Sequence, residues 1–141
     1  MRSTELNAVV GLEQIQRLDS NIKKRQENLN TWLTNLDSML YYIEYSHKGS
    51  SNYALPLILR KDNNKMAEVC KVLQEEKVEY RLGTAGGGNQ ARQPYLERYG
   101  YKVVGNLEVS DYIHDFGLYI GNHPDLTKEQ IINLCKKLNN V

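Results

Sequence analysis

The chain has 141 residues, enough for one domain that buries about two-thirds of the surface its unfolded form would expose. Its 18 Lys and Arg against 17 Asp and Glu give a net charge of +1, and the two signs are interspersed, so it lacks the basic face that a nucleic-acid binder needs. No apolar run is long enough to cross a bilayer, and Met1–Ala8 lacks the apolar core of a signal peptide.

The expected compartment is therefore the cytosol. There Cys70 and Cys135, each on the apolar stripe of a predicted helix, pack as reduced thiols rather than join in a disulfide. The 10 tyrosines sit mostly in apolar, β-prone company and read as packing at sheet faces and an interface, not as base-stacking platforms.

Ser3 or Thr4 opens a helix in which Leu6, Ala8, Val9, Val10, Leu12 and Ile15 spread around most of the circumference. A helix that is apolar all round is buried on more than one side. Here it is the first element of the chain, so its cover is expected from an oligomer or from a preceding domain. Gly11 costs roughly 1 kcal/mol against alanine in mid-helix and favours close helix–helix approach.

Asp19 or Ser20 is the expected cap of a second helix running to about Leu36, with Ile22, Leu29, Trp32, Leu33 and Leu36 inward and the basic run Lys23–Arg25 on a solvated face. Leu40–Ser46 and Tyr53–Arg60 read as a hairpin. Pro56 cannot donate to a ladder, which places the second strand at an edge or a bulge.

Asp62 or Asn63 starts a helix whose Met66, Val69, Cys70 and Leu73 form one stripe at i, i+3, i+4 and i+7. A strand over Val78–Leu82 follows, then short helices over Ala91–Tyr99 and Asn106–His114. A short strand near Leu118–Ile120 leads through a turn to a last helix capped by Thr127, with Ile131, Leu134, Cys135 and Leu138 repeating the stripe. The pattern is α+β: two N-terminal helices, then a small, mainly antiparallel sheet with helices laid on it.

Chemistry is expected between Glu79 and Tyr99. Gly83, Gly86, Gly87 and Gly88 let backbone N–H groups approach a ligand, Asn89 can cap the helix that follows, and Arg81 and Arg92 flank the loop with forked donors for an anion. A mobile surface loop is the alternative reading. The loop has neither the Gly-Lys-Ser/Thr ending of a Walker A motif nor dinucleotide-binding glycine spacing.

His114 with Asp115, and His123, are candidates for metal ligation or proton transfer, but no metal-finger spacing surrounds them. The turn at His123-Pro124 suits a ring packed on backbone. No nucleophile elbow is present, and no lysine has the apolar setting that would lower its pKa for a Schiff base. The residues by themselves make no self-contained active site.

Taken in order, Arg2-Ser-Thr-Glu-Leu-Asn-Ala-Val-Val-Gly-Leu-Glu-Gln-Ile-Gln-Arg-Leu-Asp, Arg25-Gln-Glu-Asn, Arg81 with Gly88-Asn-Gln-Ala-Arg-Gln-Pro94, and Gly117-Leu-Tyr-Ile-Gly-Asn-His-Pro-Asp-Leu-Thr127 resemble the C-terminal third of the DegT/DnrJ/EryC1/StrS family. These are pyridoxal-phosphate (PLP) enzymes acting on nucleotide-linked keto-sugars.

The resemblance implies the small domain of a fold-type I PLP transferase over residues 1–141, without the large domain that carries the Schiff-base lysine and the acidic partner of the pyridine nitrogen. It also implies that the family's phosphate-reaching asparagine, two residues before the position of Arg2, has no counterpart. No cofactor is then expected on this chain alone.

The same resemblance nominates Arg81, Gly86, Gly87, Gly88, Asn89 and Arg92 as substrate-side residues, with Asn122 and His123 nearby, and no metal. The expected partners are the large domain, a nucleotide-sugar substrate and a second copy through Leu6–Ile15. The Gly-Asn, Arg-Gln-Pro version of the loop is most similar to the branch that includes 3-dehydratases of CDP-4-keto-6-deoxy sugars. From a different class, the alternative is a stand-alone, non-catalytic binding or association module of the same fold.

Overall fold

A computed structural model describes residues 4–46, 48–60, 64–83 and 88–141. Its helices and strands follow the order α1 (Glu5–Ile15), α2 (Leu18–Asn35), β1 (Ala54–Ile58), α3 (Met66–Glu75), β2 (Tyr80–Leu82), α4 (Glu108–Phe116), β3 (Gly117–Gly121) and α5 (Lys128–Leu138). Two short 3-10 turns, Gln90–Arg92 and Pro94–Arg98, lie between β2 and α4.

The three strands form one antiparallel sheet in the order β1-β3-β2, with the last-formed strand in the middle. β1 and β2, joined through α3, therefore run in the same direction on either side of β3. The register sorts the faces. Leu55 opposes Ile120 and Leu57 opposes Leu118, and all four are buried under α2, α3 and α5. Pro56, Tyr119 and Arg81 line up across the three strands on the other face.

The core joins Leu29, Trp32, Leu33 and Leu36 of the α2 face, Val69 and Leu73 of α3, and Ile131, Cys135 and Leu138 of α5 to that inner sheet face. The stripes at i, i+3, i+4 and i+7 thus do what their spacing predicts. Trp32 is fully buried, and its indole N–H donates to the Pro56 carbonyl at 2.7 Å. Pro56 lies on an edge strand, as a residue without an N–H requires, and its outward carbonyl is already engaged. The Ile58 carbonyl is likewise taken by the Tyr42 N–H, at 2.8 Å, so this edge is blunted against further strand pairing.

Several local features differ from the sequence reading. Leu40–Ser46 is not a ladder strand: it meets the residue after β1 through a single bridge, Tyr41 with Leu59. Tyr41 is anchored instead by its buried ring and by a hydroxyl that donates to the Leu138 carbonyl at 2.6 Å, and burial raises its pKa.

The second helix starts at Leu18, ahead of Asp19 and Ser20, because Gln16 and Arg17 stay in right-handed helical geometry. It follows α1 almost without a break. Ala91–Tyr99 divides into the two 3-10 turns, the second opened by Pro94. The Asn106–His114 helix is shifted to Glu108–Phe116.

Asn89 and Thr127 both act as N-caps, Thr127 within a full capping box with Gln130. Asp62 and Asn63, the expected start of α3, lie outside the described residues; Lys65 is the residue that flanks the helix start. Cys70 and Cys135 are both free thiols. Burial pushes the Cys135 thiol up to about 12, so it packs as a hydrophobe rather than reacting as a thiolate.

α1 buries none of its residues. Thr4 caps it, yet Leu6, Val9, Val10, Leu12 and Ile15 are 60–78% exposed. Among the described residues nothing lies over this apolar surface, which marks it as a face for something outside the fold of this chain. No described helix is long and apolar enough to cross a membrane.

Candidate functional site

Gly83 follows directly on β2, and Gly88 returns the chain to the same point: its N–H donates to the Gly83 carbonyl at 2.8 Å and closes the loop at its base. Both glycines are set against α4. A Cβ on Gly83 would lie 2.7 Å from the His114 carbonyl oxygen, and one on Gly88 would lie 2.8 Å from the His114 Cα.

A side chain at either position would therefore have to displace helix backbone, not solvent. At these two positions the absent side chain serves helix–loop packing. Gly86 and Gly87 lie outside the described residues.

Beyond the loop, Asn89 is buried and fully engaged. Its N–H donates to His114 Nδ1 at 3.2 Å, its Nδ2 donates to Asp111 Oδ1 at 2.8 Å, and its Oδ1 accepts from the Ala91 N–H at 2.9 Å. Arg92, one turn further, donates from Nη1 to Asp115 Oδ1 at 2.7 Å, with Asp111 Oδ1 at 3.6 Å.

Asp111, His114 and Asp115 stand at i, i+3 and i+4 of α4, so one helix face holds the whole segment from Gly88 to Arg92. His114 with Asp115, a candidate pair for metal ligation or proton transfer that lacks metal-finger spacing, is part of a loop clamp. Asp111 went unrecognised, although its spacing to the other two was visible. No group of three metal-ligating side chains occurs among the described residues.

Arg81 stands on the outer sheet face opposite Tyr119, just before the loop. Its only charged contact among the described residues is Glu79, Nη2 to Oε1 at 2.7 Å. Both side chains are more than half exposed, so the pair contributes little and the guanidinium can change partners. Beside it a hollow of about 120 Å³ is lined by Pro56, Ile58, Gly83, Ile113, Gly117 and Tyr119. Tyr53 packs edge-on against Tyr119, with ring centroids 6.1 Å apart. Gly88, Asn89 and Arg92 gather on α4 next to the start of β3, and Arg81 stands two residues before Gly83, opposite the middle of β3.

Asn122 and His123 are at the other end. Loop and turn are separated by the length of β3, roughly 15 Å for five residues. Asn122 is a buried structural hub: Nδ2 donates to the Arg25 carbonyl at 3.0 Å and the Asn52 carbonyl at 2.9 Å, while Oδ1 accepts from Asn28 Nδ2 at 3.0 Å. Asn28 also donates to the His123 carbonyl, at 3.1 Å. The His123 ring is exposed and its Nδ1 accepts from the Asp125 N–H at 3.2 Å, a ring packed on its own turn.

A larger cleft of about 610 Å³ lies on the helix side, lined by Trp32, Val78, Leu126 and Leu134 among others. Lys137 and Glu76 bridge it at 2.5 Å. It contains none of the candidate residues.

A pyridine aldehyde cofactor is held through a lysine. A Schiff-base lysine needs a partly apolar pocket. The described lysines are all exposed except Lys65, which is half-buried with Nζ donating to the Val141 carbonyl at 2.5 Å. The described residues therefore do not fit the covalent anchorage of such a group.

Comparison with known proteins places these features. The sequence profile of the DegT/DnrJ/EryC1/StrS aminotransferase family matches residues 1–139. The lipopolysaccharide biosynthesis protein RfbH of Salmonella typhimurium is 29% identical over 97% of this chain and 32% of its own length. The GDP-4-keto-6-deoxy-D-mannose 3-dehydratase of Yersinia pseudotuberculosis is 29% identical over 95% of this chain and 34% of its own.

In three dimensions, the Escherichia coli GDP-4-keto-6-deoxy-D-mannose 3-dehydratase with bound hydrated PLP superposes with a TM-score of 0.85. It is 24% identical, over 98% of this chain and 36% of that one. The chain spans about a third of the length of these relatives.

Proposed function

Since the chain belongs to the DegT/DnrJ/EryC1/StrS aminotransferase family, we propose that it serves as the substrate-side small domain of a cytoplasmic PLP-dependent enzyme that aminates or deoxygenates a nucleotide-linked 4-keto-6-deoxy sugar for polysaccharide or lipopolysaccharide synthesis. The observation that carries this reading is the match over 95% or more of the chain to a lipopolysaccharide-biosynthesis protein and a nucleotide-sugar 3-dehydratase, each covered over about a third. PLP, bound in the complete enzyme, would supply the electron sink for the reaction.

This chain's own residues bind and orient. Arg81 presents an exposed fork to an anionic group of the substrate, such as its diphosphate. α4 holds Asn89 and Arg92 in place on the far side of Gly83 and Gly88. The greasy circumference of α1 is covered by the large domain and by a second copy of the protein. A stand-alone module of the same fold is the second reading, favoured by a core that closes around Trp32 and Tyr41 within this chain.

Titrating the chain with PLP while following the visible spectrum tests the division of labour. The expected result is no saturable imine band. A saturating band, fixed to one lysine by borohydride reduction, would place the covalent chemistry here and overturn the reading.

A further inference from the structure

We infer that the cleft on the helix side is a binding site for a small amphipathic anion, one carboxylate on an apolar body, as in a medium-chain fatty acid. The inference does not rest on the functional reading above, because the cleft shares no residue with the candidate site.

The cleft is bounded on one side by the way α3 ends. Lys77 N–H donates to the Gln74 carbonyl at 3.0 Å and Val78 N–H to the Leu73 carbonyl at 2.8 Å, the paired bonds of a helix that closes through a left-handed residue. That residue is Lys77, at φ 57°, where glycine is the usual occupant. The turn sets Val78 in the cleft wall together with Leu126 and Leu134. All three are half-buried: they pack on the core and still border open volume. Leu134 belongs to the apolar stripe of α5, whose other members Ile131, Cys135 and Leu138 are buried. It is the stripe position that the fold leaves uncovered. With Trp32 at its base and a volume of about 610 Å³, the cleft falls in the range of about 300–1,000 Å³ that takes small molecules.

The charges at the rim select the ligand. Lys136, Lys137 and Glu76 stand there. Lys137 is bound to Glu76 at 2.5 Å, while Lys136 has no ion-pair partner among the described residues, so one positive charge is left over beside an apolar hollow. A cationic head would meet two ammonium groups. A dianion would have to break the Lys137–Glu76 bridge to pair its second charge. A single carboxylate pairs with Lys136 as the rim stands, and its tail covers Val78, Leu126 and Leu134 and removes their apolar surface from water.

Titrating the whole chain with sodium decanoate below its micelle concentration, followed by NMR, tests the assignment. Saturable shifts are expected at the amides of Val78, Leu126 and Leu134 and at the indole N–H of Trp32, the one tryptophan of the chain. Acetate, which lacks the body, and decyltrimethylammonium, which carries the opposite charge, should produce none of them at the same concentrations. Lys136→Glu, an exposed change that leaves the core alone, should raise the half-saturating concentration at least about fivefold. Lys128→Glu, on the same helix but outside the cleft, should change it less than about twofold. No saturable shift, an equal response to decyltrimethylammonium, shifts confined to the exposed apolar surface of α1, or a Lys136→Glu chain that binds as tightly as wild type would each overturn the proposal.

Discussion

Asn122→Ala is expected to destabilise the chain by about 3 kcal/mol, because it leaves two carbonyls without the donor they have now and each such loss costs roughly 1–3 kcal/mol. The carbonyls belong to Arg25 in α2 and Asn52 ahead of β1, and the third contact is with Asn28. One amide therefore ties the N-terminal half of α2 to the entry of β1 and the exit of β3.

Asn122→Asp separates this account from a simple loss of volume. A carboxylate has the same shape but donates nothing, so two carbonyls would face a buried negative charge. The carboxyl's pKa is then raised in the folded state. A raised folded pKa means stability is greatest below the unfolded value and is lost as pH rises through the folded one. Urea denaturation should find Asn122→Asp no more stable than Asn122→Ala at pH 7, and recovering as the pH is lowered toward 4.

Trp32→Ala should cost about 3–5 kcal/mol, the range for emptying a large aromatic site in a core. For a chain of this size that lowers the melting temperature by roughly 10–15 °C. Trp32 is buried where α2, α5 and the sheet meet, and it also fills the Pro56 carbonyl. Trp32→Phe keeps most of the packing and drops the hydrogen bond, so about 1–2 kcal/mol is expected. Differential scanning calorimetry of the two variants checks both, and an alanine variant melting within 3 °C of wild type, less than roughly 1 kcal/mol, would contradict the core described here.

Where a segment's fate is set by its own periodicity, the sequence is legible. The stripes Met66–Leu73 and Ile131–Leu138, the Thr127 cap and the edge position of Pro56 follow from spacing and from the chemistry of single residues. Where tertiary anchors decide, the sequence misleads. Tyr41 and Tyr42 look like alternating strand residues, yet the Tyr41 hydroxyl finds the end of α5 rather than a ladder partner. Gln16 and Arg17, both good helix formers, keep right-handed backbone between the two helices, so α2 starts early.

The site was half legible. Glycines and arginines around residue 85 marked a place where backbone approaches something closely. At Gly83 and Gly88 that something is His114, twenty-five residues or more further along the chain. No local pattern distinguishes a glycine spared for a ligand from one spared for a helix. Asn122, by contrast, was nominated from a resemblance, and its buried network links segments nearly a hundred residues apart.

The most direct test of the central claim is a graft. This chain would replace the C-terminal third of the E. coli GDP-4-keto-6-deoxy-D-mannose 3-dehydratase that it superposes on, and kcat/KM of the PLP-loaded chimera would be measured with its nucleotide-linked sugar. The account predicts turnover that falls about 10–100-fold on Arg81→Ala, the loss of one charged hydrogen bond of about 1.5–3 kcal/mol, with the PLP spectrum unchanged. A folded, PLP-loaded chimera that turns the sugar over equally well with and without Arg81 would contradict it.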